Sequence, residues 1–323
     1  MSDDTAPGGQ FGYLLVHFRH EHNGERIYFS LSDGDDPLRW NPLFGGRAAL
    51  TSSVGTTGVR DPVLARDHDG RFHILATDLR VEGGVGGWET WVRSGSRNLV
   101  VWDSDDLLTW SEPRLVEVAP PNAGMAWAPE VTRDPTTGEH IVFWSSRLYA
   151  ADDPDHAAEA YSRILYTRTR DFTDFSPADI FIDAARNIID TAILQDDGVV
   201  HRISKHEDGP GGLGIYHEVG SSLFADDFRI VATSIGSDQY PLVEGPIVFR
   251  DHRLDRWYLF LDQYADDIQG YFVMESHDIE SGRWTRVPAE RLMLRPGTKH
   301  GGILSLTFSE WERLAGSILP SQE

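Results

Sequence analysis

Five short segments of this chain open alike and return at nearly even steps. They are Arg60-Asp61-Pro62-Val63-Leu64, Trp127-Ala128-Pro129-Glu130-Val131, Ile188-Ile189-Asp190-Thr191-Ala192, Glu244-Gly245-Pro246-Ile247-Val248 and His300-Gly301-Gly302-Ile303-Leu304. Counting from Asp61, the steps to Trp127, Asp190, Glu244 and His300 are 66, 63, 54 and 56 residues. A period of this size, with several strands per unit, marks a ring of blades that cannot bury their faces alone. The spacing predicts an all-β, five-bladed β-propeller. In such a ring the opening strand of every blade lines the axis, so side chains far apart in sequence converge there.

Each unit reads as an opening strand, a second strand ending in polar residues, a loop, and a third strand closed by a turn. In the first unit these are 63–64, 72–77 and 99–103; in the second, 127–131, 141–145 and 164–169. The third has 189–194, 199–204 and 214–218, and the fourth has 244–249, 257–262 and 271–276. Alternation, β-branched and aromatic enrichment, and flanking Gly/Asp turns support these strands. Little follows 300–307 except 308–316, which reads as a short helix. The missing strands match 13–18 and 26–32 at the other end of the chain, followed by a Trp-ending turn at 33–40. The N-terminus is therefore expected to complete the last blade, which removes an exposed sheet edge. No linker or charge block divides the chain, so residues 1–323 read as one domain, with 1–10 disordered.

Composition narrows the function. The net charge of −22 opposes binding to nucleic acid or to an anionic membrane. Without cysteine there is no disulfide, thiolate metal site or thiol nucleophile. Residues 1–10 carry no apolar signal-peptide region and no stretch approaches 18 apolar residues, so a cytoplasmic protein that neither enters nor spans a membrane is expected. Ten Trp, ten Tyr and fifteen Phe supply faces for packing between sheets or for stacking on sugar rings.

Three of the five openings carry a carboxylate: Asp61, Asp190 and Glu244. Cleaving a glycosidic bond needs a proton donor for the leaving oxygen and a second carboxylate across the sugar ring. A third can hold the donor's proton and orientation by like-charge proximity. Antiparallel second strands must end at the face where the openings start. That places Arg80, Arg147, Lys205-His206 and Arg19-His20 at the rim, and Arg60, Arg80 and Arg147 are suited to bind sugar hydroxyls. The longest rim loop, 81–97, is Gly-rich and carries Trp88 and Trp91, a candidate stacking lid. A single Asp-Pro or Gly-Pro at a strand start is ordinary turn chemistry. What argues for a site is three acids in phase with the repeat.

This ordered set of openings resembles glycoside hydrolase family 43, five-bladed propellers acting on arabinose- and xylose-containing glycans, with galactofuranosidases in some branches. The resemblance runs from Tyr13 to about Thr307. It implies inversion of configuration, with Asp61 as general base, Asp190 tuning and orienting the acid, and Glu244 as general acid. Trp127 would line the pocket, and His300 would sit near the axis, where many members hold a calcium or other ion through water. The other reading of His300 is a hydrogen bond to a catalytic carboxylate or to the sugar; no further cofactor is implied. In this chain Thr191 follows Asp190 where the family usually has Pro, and Glu130 stands where Asp is commoner and is read as non-catalytic. Asp61 also follows some sixty residues assigned to the closing blade.

The expected activity is that of an inverting exo-glycosidase. α-L-Arabinofuranosidase comes first, then β-xylosidase and β-galactofuranosidase, with an oligosaccharide or glycoside as the partner. Alternatives are a non-catalytic carbohydrate-binding propeller, a phosphorolytic one, and a retaining fructan-type glycosidase. The last carries an Asn-Asp-Pro motif and a Glu-Cys acid that this chain lacks. Composition and spacing say nothing of oligomeric state.

Overall fold

A computed structural model describes residues 9–207, 212–265 and 269–318. The closing blade begins with β1 (Gln10–Arg19), β2 (Tyr28–Asp33) and β3 (Asp36–Pro42). The next is built from β4 (Val59–Arg66), β5 (Phe72–Asp78), β6 (Asn98–Ser104) and β7 (Arg114–Glu117). Helix α1 (Trp88–Ser94) lies between β5 and β6. Then come β8 (Trp127–Arg133), β9 (His140–Arg147), β10 (Ser162–Thr169) and β11 (Asp179–Ile182), followed by β12 (Ile188–Asp196), β13 (Val199–His206), β14 (Ile215–Gly220) and β15 (Arg229–Ala232). The last are β16 (Val243–Arg250), β17 (Trp257–Gln263), β18 (Gly270–Ser276), β19 (Thr285–Arg286), β20 (Thr298–Thr307) and helix α2 (Phe308–Ala315).

These strands form five four-stranded antiparallel sheets, the five-bladed propeller that the spacing predicts. The closing blade runs β20-β1-β2-β3, so the N-terminus completes the blade opened by the C-terminal strand. Disorder expected over 1–10 falls mainly outside the described residues; Gln10 itself opens β1 and pairs with Thr307. The short helix after β20 is present, held by a capping box between Thr307 and Glu310.

Every blade has a fourth, outer strand that the sequence pattern does not reveal. These strands are two to seven residues long and half-exposed, as in β7 and β15, and β3 carries Pro37 and Pro42, which only an edge strand tolerates. The segment at 33–40 is thus mostly strand rather than turn. Inner strands are apolar on both faces because each sheet is packed between two others. Val63, Leu75 and Val101 of one blade meet Val142, Trp144 and Leu165 of the next in one such layer. Among the described residues no helix is long and apolar enough to cross a membrane.

Candidate active site

A β-bulge interrupts each of the five innermost strands at the same end. The pairing slips between Arg60 and Val63 in β4, Trp127 and Glu130 in β8, Ile189 and Ala192 in β12, and Glu244 and Ile247 in β16. In β20 it slips opposite His17–Arg19. The first bulged residue of four strands is left-handed: Asp61 (φ 49°), Ala128 (φ 49°), Asp190 (φ 50°) and Gly245 (φ 54°). Bulges re-aim side chains, and Asp tolerates this backbone better than most residues. The structural repeat therefore aligns Asp61 with Asp190 but places Glu244 one position earlier, level with Arg60 and Trp127. His300 stands level with Pro62 and Thr191. Charge reaches the axis from three registers.

Neighbouring blades tie these bulges together. Thr77 Oγ1 donates to Asp61 Oδ2 (3.0 Å) and accepts the Ala128 N–H (2.8 Å). Ser145 Oγ accepts the Asp190 N–H at 3.1 Å, Asp190 Oδ2 accepts the Gly245 N–H at 3.1 Å, and Asp262 Oδ2 accepts the His300 N–H at 3.0 Å. Thr191, in place of the family's usual Pro, spends its hydroxyl on Ser204 Oγ at 2.7 Å. The Asp190 carboxylate is thus both a wall of the site and the cap of the next bulge, which sets it beside Glu244.

Together the bulges floor a cavity of about 840 Å³. Asp61, Asp190 and Glu244 all line it, with Arg60, Trp88, Trp127, Arg147 and His300. Two of the expected substrate-binding residues, Arg80 and Trp91, do not. Leu79 turns into the cavity, so by strand-like alternation Arg80 points the other way and bonds the Glu82 carbonyl and Thr57. The second correction concerns the loop 81–97, which is not all coil. Helix α1 puts Trp88 and Val92 on the cavity side, while Trp91 braces Trp88 edge-on at 5.3 Å and donates to the Val85 carbonyl. Trp88 also meets Trp127 edge-on at 6.0 Å and lies over the Arg60 guanidinium, whose other face covers Phe18. Glu25 staples this rim, accepting from Arg60 Nη1, Val81 N and Glu82 N.

Sequence reasoning put Lys205 at the rim but missed Lys299 and the pairing of both cations with Glu244. Lys205 Nζ stands 3.3 Å from Oε2 and Lys299 Nζ 3.4 Å from Oε1. Behind them Asp262, fully buried, holds Lys299 at 2.9 Å. The only signal was positional: Lys205 and Asp262 end second strands and Lys299 precedes His300.

Burial and neighbouring charge set the proton inventory. Burial raises the Asp61 carboxyl, but contact with His300, then Arg60 and Thr77, outweighs it, and the pKa ends below the ordinary value. Burial lifts Asp190 to about 6, with His300 and Lys205 opposing and Glu244 and Asp61 assisting. Glu244 is also raised by burial, yet Lys205 and Lys299 reverse the sign and leave it lowered. His300 loses stability as a cation through burial, but Asp61 and Asp190 bring it up to about 9. Glu130, outside the cavity lining, is pushed up to about 8 by burial.

The residues around His300 do not fit a resident cation. Its Nδ1 faces Asp61 Oδ1 at 3.5 Å, and an imidazolium repels a metal rather than binding it. No group of three or more His, Cys, Asp or Glu is spaced to hold an ion among the described residues. His300 thus offers an ion no direct ligand.

A family model described as a probable glycosyl hydrolase domain, related to family 43, matches residues 9–312. An α-L-arabinofuranosidase of Bifidobacterium longum subsp. longum is 30% identical over 245 residues, which cover 72% of this chain and 23% of that protein. The chain thus matches about a quarter of that relative's length. An α-L-arabinanase from Cellvibrio cellulosa, solved with arabinohexaose, superposes with a TM-score of 0.57 at 13% identity, covering 89% of this chain and 94% of that one. For an arabinanase of Penicillium chrysogenum, solved with arabinobiose, the values are 0.54, 15%, 90% and 79%. At such identities these two structures speak to the fold alone.

Proposed function

The chain belongs to the glycosyl hydrolases related to family 43, and on that premise we propose that it is an inverting exo-glycosidase releasing a terminal pentofuranose or related sugar. Of the candidate sugars α-L-arabinofuranose comes first, then β-xylose and β-galactofuranose. One observation carries the reading: Asp61, Asp190 and Glu244, from three blades, line a single cavity. Asp61, held ionised, takes a proton from water attacking the anomeric carbon, while Glu244 protonates the departing oxygen. Arg60 and Arg147 contact the substrate, and Trp88 and Trp127 form a stacking wall. The rim made by Trp88 and Glu25 supports exo action by closing one side of the groove.

Lys205 and Lys299 hold Glu244 ionised, while burial keeps a proton on Asp190 up to about pH 6. Glu244 acts as acid when it takes that proton on the substrate side of the pair. Activity then requires one proton on the Asp190–Glu244 pair and none on Asp61. The rate kcat/KM should accordingly fall as pH rises through about 6, where Asp190 loses its proton. Its acid limb should lie below the ordinary Asp value. Lys299→Met removes a positive charge from Glu244, raises the carboxyl pKa values and moves the alkaline limb to higher pH. A limb that stays put or moves down contradicts the assignment.

The sugar is decided by assaying nitrophenyl α-L-arabinofuranoside, β-xyloside and β-galactofuranoside side by side, with the anomer first released read by NMR. Inactivity on all three, or release of the retained anomer, overturns the reading.

A further inference from the structure

The cavity's cations are matched by acids, with one exception. Arg60 pairs with Glu25, Arg19 with Glu21, and Lys205 and Lys299 with Glu244. Arg147 lines the same cavity, yet among the described residues its guanidinium has neither an ion pair nor a hydrogen bond, and its Nε is shut off from solvent. The indole Nε1 of Trp127 is likewise shielded and without an acceptor. These two donors are neighbours. Trp127 pairs with Ser145, and Arg147 lies two residues further along β9, so both stand on one face as a diagonal pair. In a chain of net charge −22, a cavity-lining guanidinium with no acid partner asks for a ligand.

The missing group must accept and not donate. A sugar hydroxyl would satisfy either donor but bring an O–H needing its own acceptor, whereas a carboxylate offers two oxygens and one negative charge. It suits the planar fork of Arg. A phosphate dianion would leave a second charge facing Asp190, Glu207 and Glu244, which line the same cavity. Position supplies the rest. Ser145 holds the Asp190 bulge, and Arg147 ends β9 one strand repeat (roughly 6–7 Å) further on, toward the rim, where the rest of a substrate cleaved at its terminal sugar would extend.

We propose that Arg147, walled by Trp127, forms a subsite for the carboxylate of a uronic acid residue adjoining the sugar that is released. This rests on the hydrolase reading and names its substrate class: arabinofuranosyl side groups on acidic glycans.

The test uses two arabinofuranosyl oligosaccharides that differ only in a uronate carboxylate or its methyl ester. Wild-type kcat/KM should favour the acid by about tenfold or more. In Arg147→Gln that ratio should fall to near 1, and in Arg147→Lys, which keeps the charge without the fork, to an intermediate value. Calorimetric binding of both oligosaccharides to Glu244→Gln should show the same preference. A wild-type enzyme that cleaves nitrophenyl arabinofuranoside but treats acid and ester alike overturns the subsite and leaves the hydrolase standing. Equal binding of the two to Glu244→Gln overturns it as well. A wild type that binds the acid preferentially and cleaves no glycoside overturns the hydrolase reading instead.

Discussion

Exchanging Asp61 for Asn is expected to lower kcat by about 10²–10⁴-fold, whatever leaving group the glycoside carries. The base activates water, and its loss is felt equally by all substrates. Glu244→Gln should behave differently. With a poor leaving group, such as an oligosaccharide, the loss should fall in the same range. With dinitrophenol, which leaves without a proton, most of it should vanish. Steady-state kinetics on a series of leaving groups separates the two roles, and equal sensitivity in the two variants would refute them. The Asn variant is a fair probe of chemistry because residue 61 is left-handed, a conformation that Asn adopts as readily as Asp. Thr77 Oγ1 can also still donate to the amide oxygen.

Ring closure yields the second large effect. Gly301 sits in β20 opposite His17, and a Cβ placed there would lie 1.9 Å from the Val16 carbonyl oxygen and 2.8 Å from the His17 Cα. Both obstacles are backbone in the strand that joins the two ends of the chain. Gly301→Ala must therefore push β1 away from β20, at a cost of at least about 3 kcal/mol. Because β20 also carries Lys299 and His300, the displaced strand loosens the site. Thermal melting by calorimetry should fall by several degrees, with activity lost in parallel. Gly302→Ala is the comparison: its Cβ would meet the Val63 Cα at 3.2 Å, which asks for a shift of only a few tenths of an ångström. Equal melting of Gly301→Ala and the parent protein would show that closure does not depend on this contact.

Much of this was readable beforehand because blades repeat. Openings that return every 54 to 66 residues, with apolar alternation between them, leave few architectures available. The unpaired last opening and the surplus N-terminal strands likewise left one way to bury both. The outer strands were not readable, since two to seven half-exposed residues at a sheet edge carry little periodicity. Arg80 and Trp91 show a related limit: a loop has no period until its local structure is known, and one residue's phase decides whether a side chain meets solvent or substrate.

Residue types and spacing along the chain thus determined the five-bladed ring, its closure through the N-terminus, and the three acids that approach the axis, because repetition and burial are properties of pattern. Which way each side chain points was decided in three dimensions. The bulge common to the innermost strands falls on Asp61 and Asp190 but one residue after Glu244, so the acids leave their strands from different registers, and blade-to-blade bonds lock that offset. Lys205 and Lys299, 94 residues apart in sequence, close on Glu244 from two other blades and reverse the effect of burial on its proton. Charge at a site is a sum over space, and the order of residues along a chain does not carry that sum.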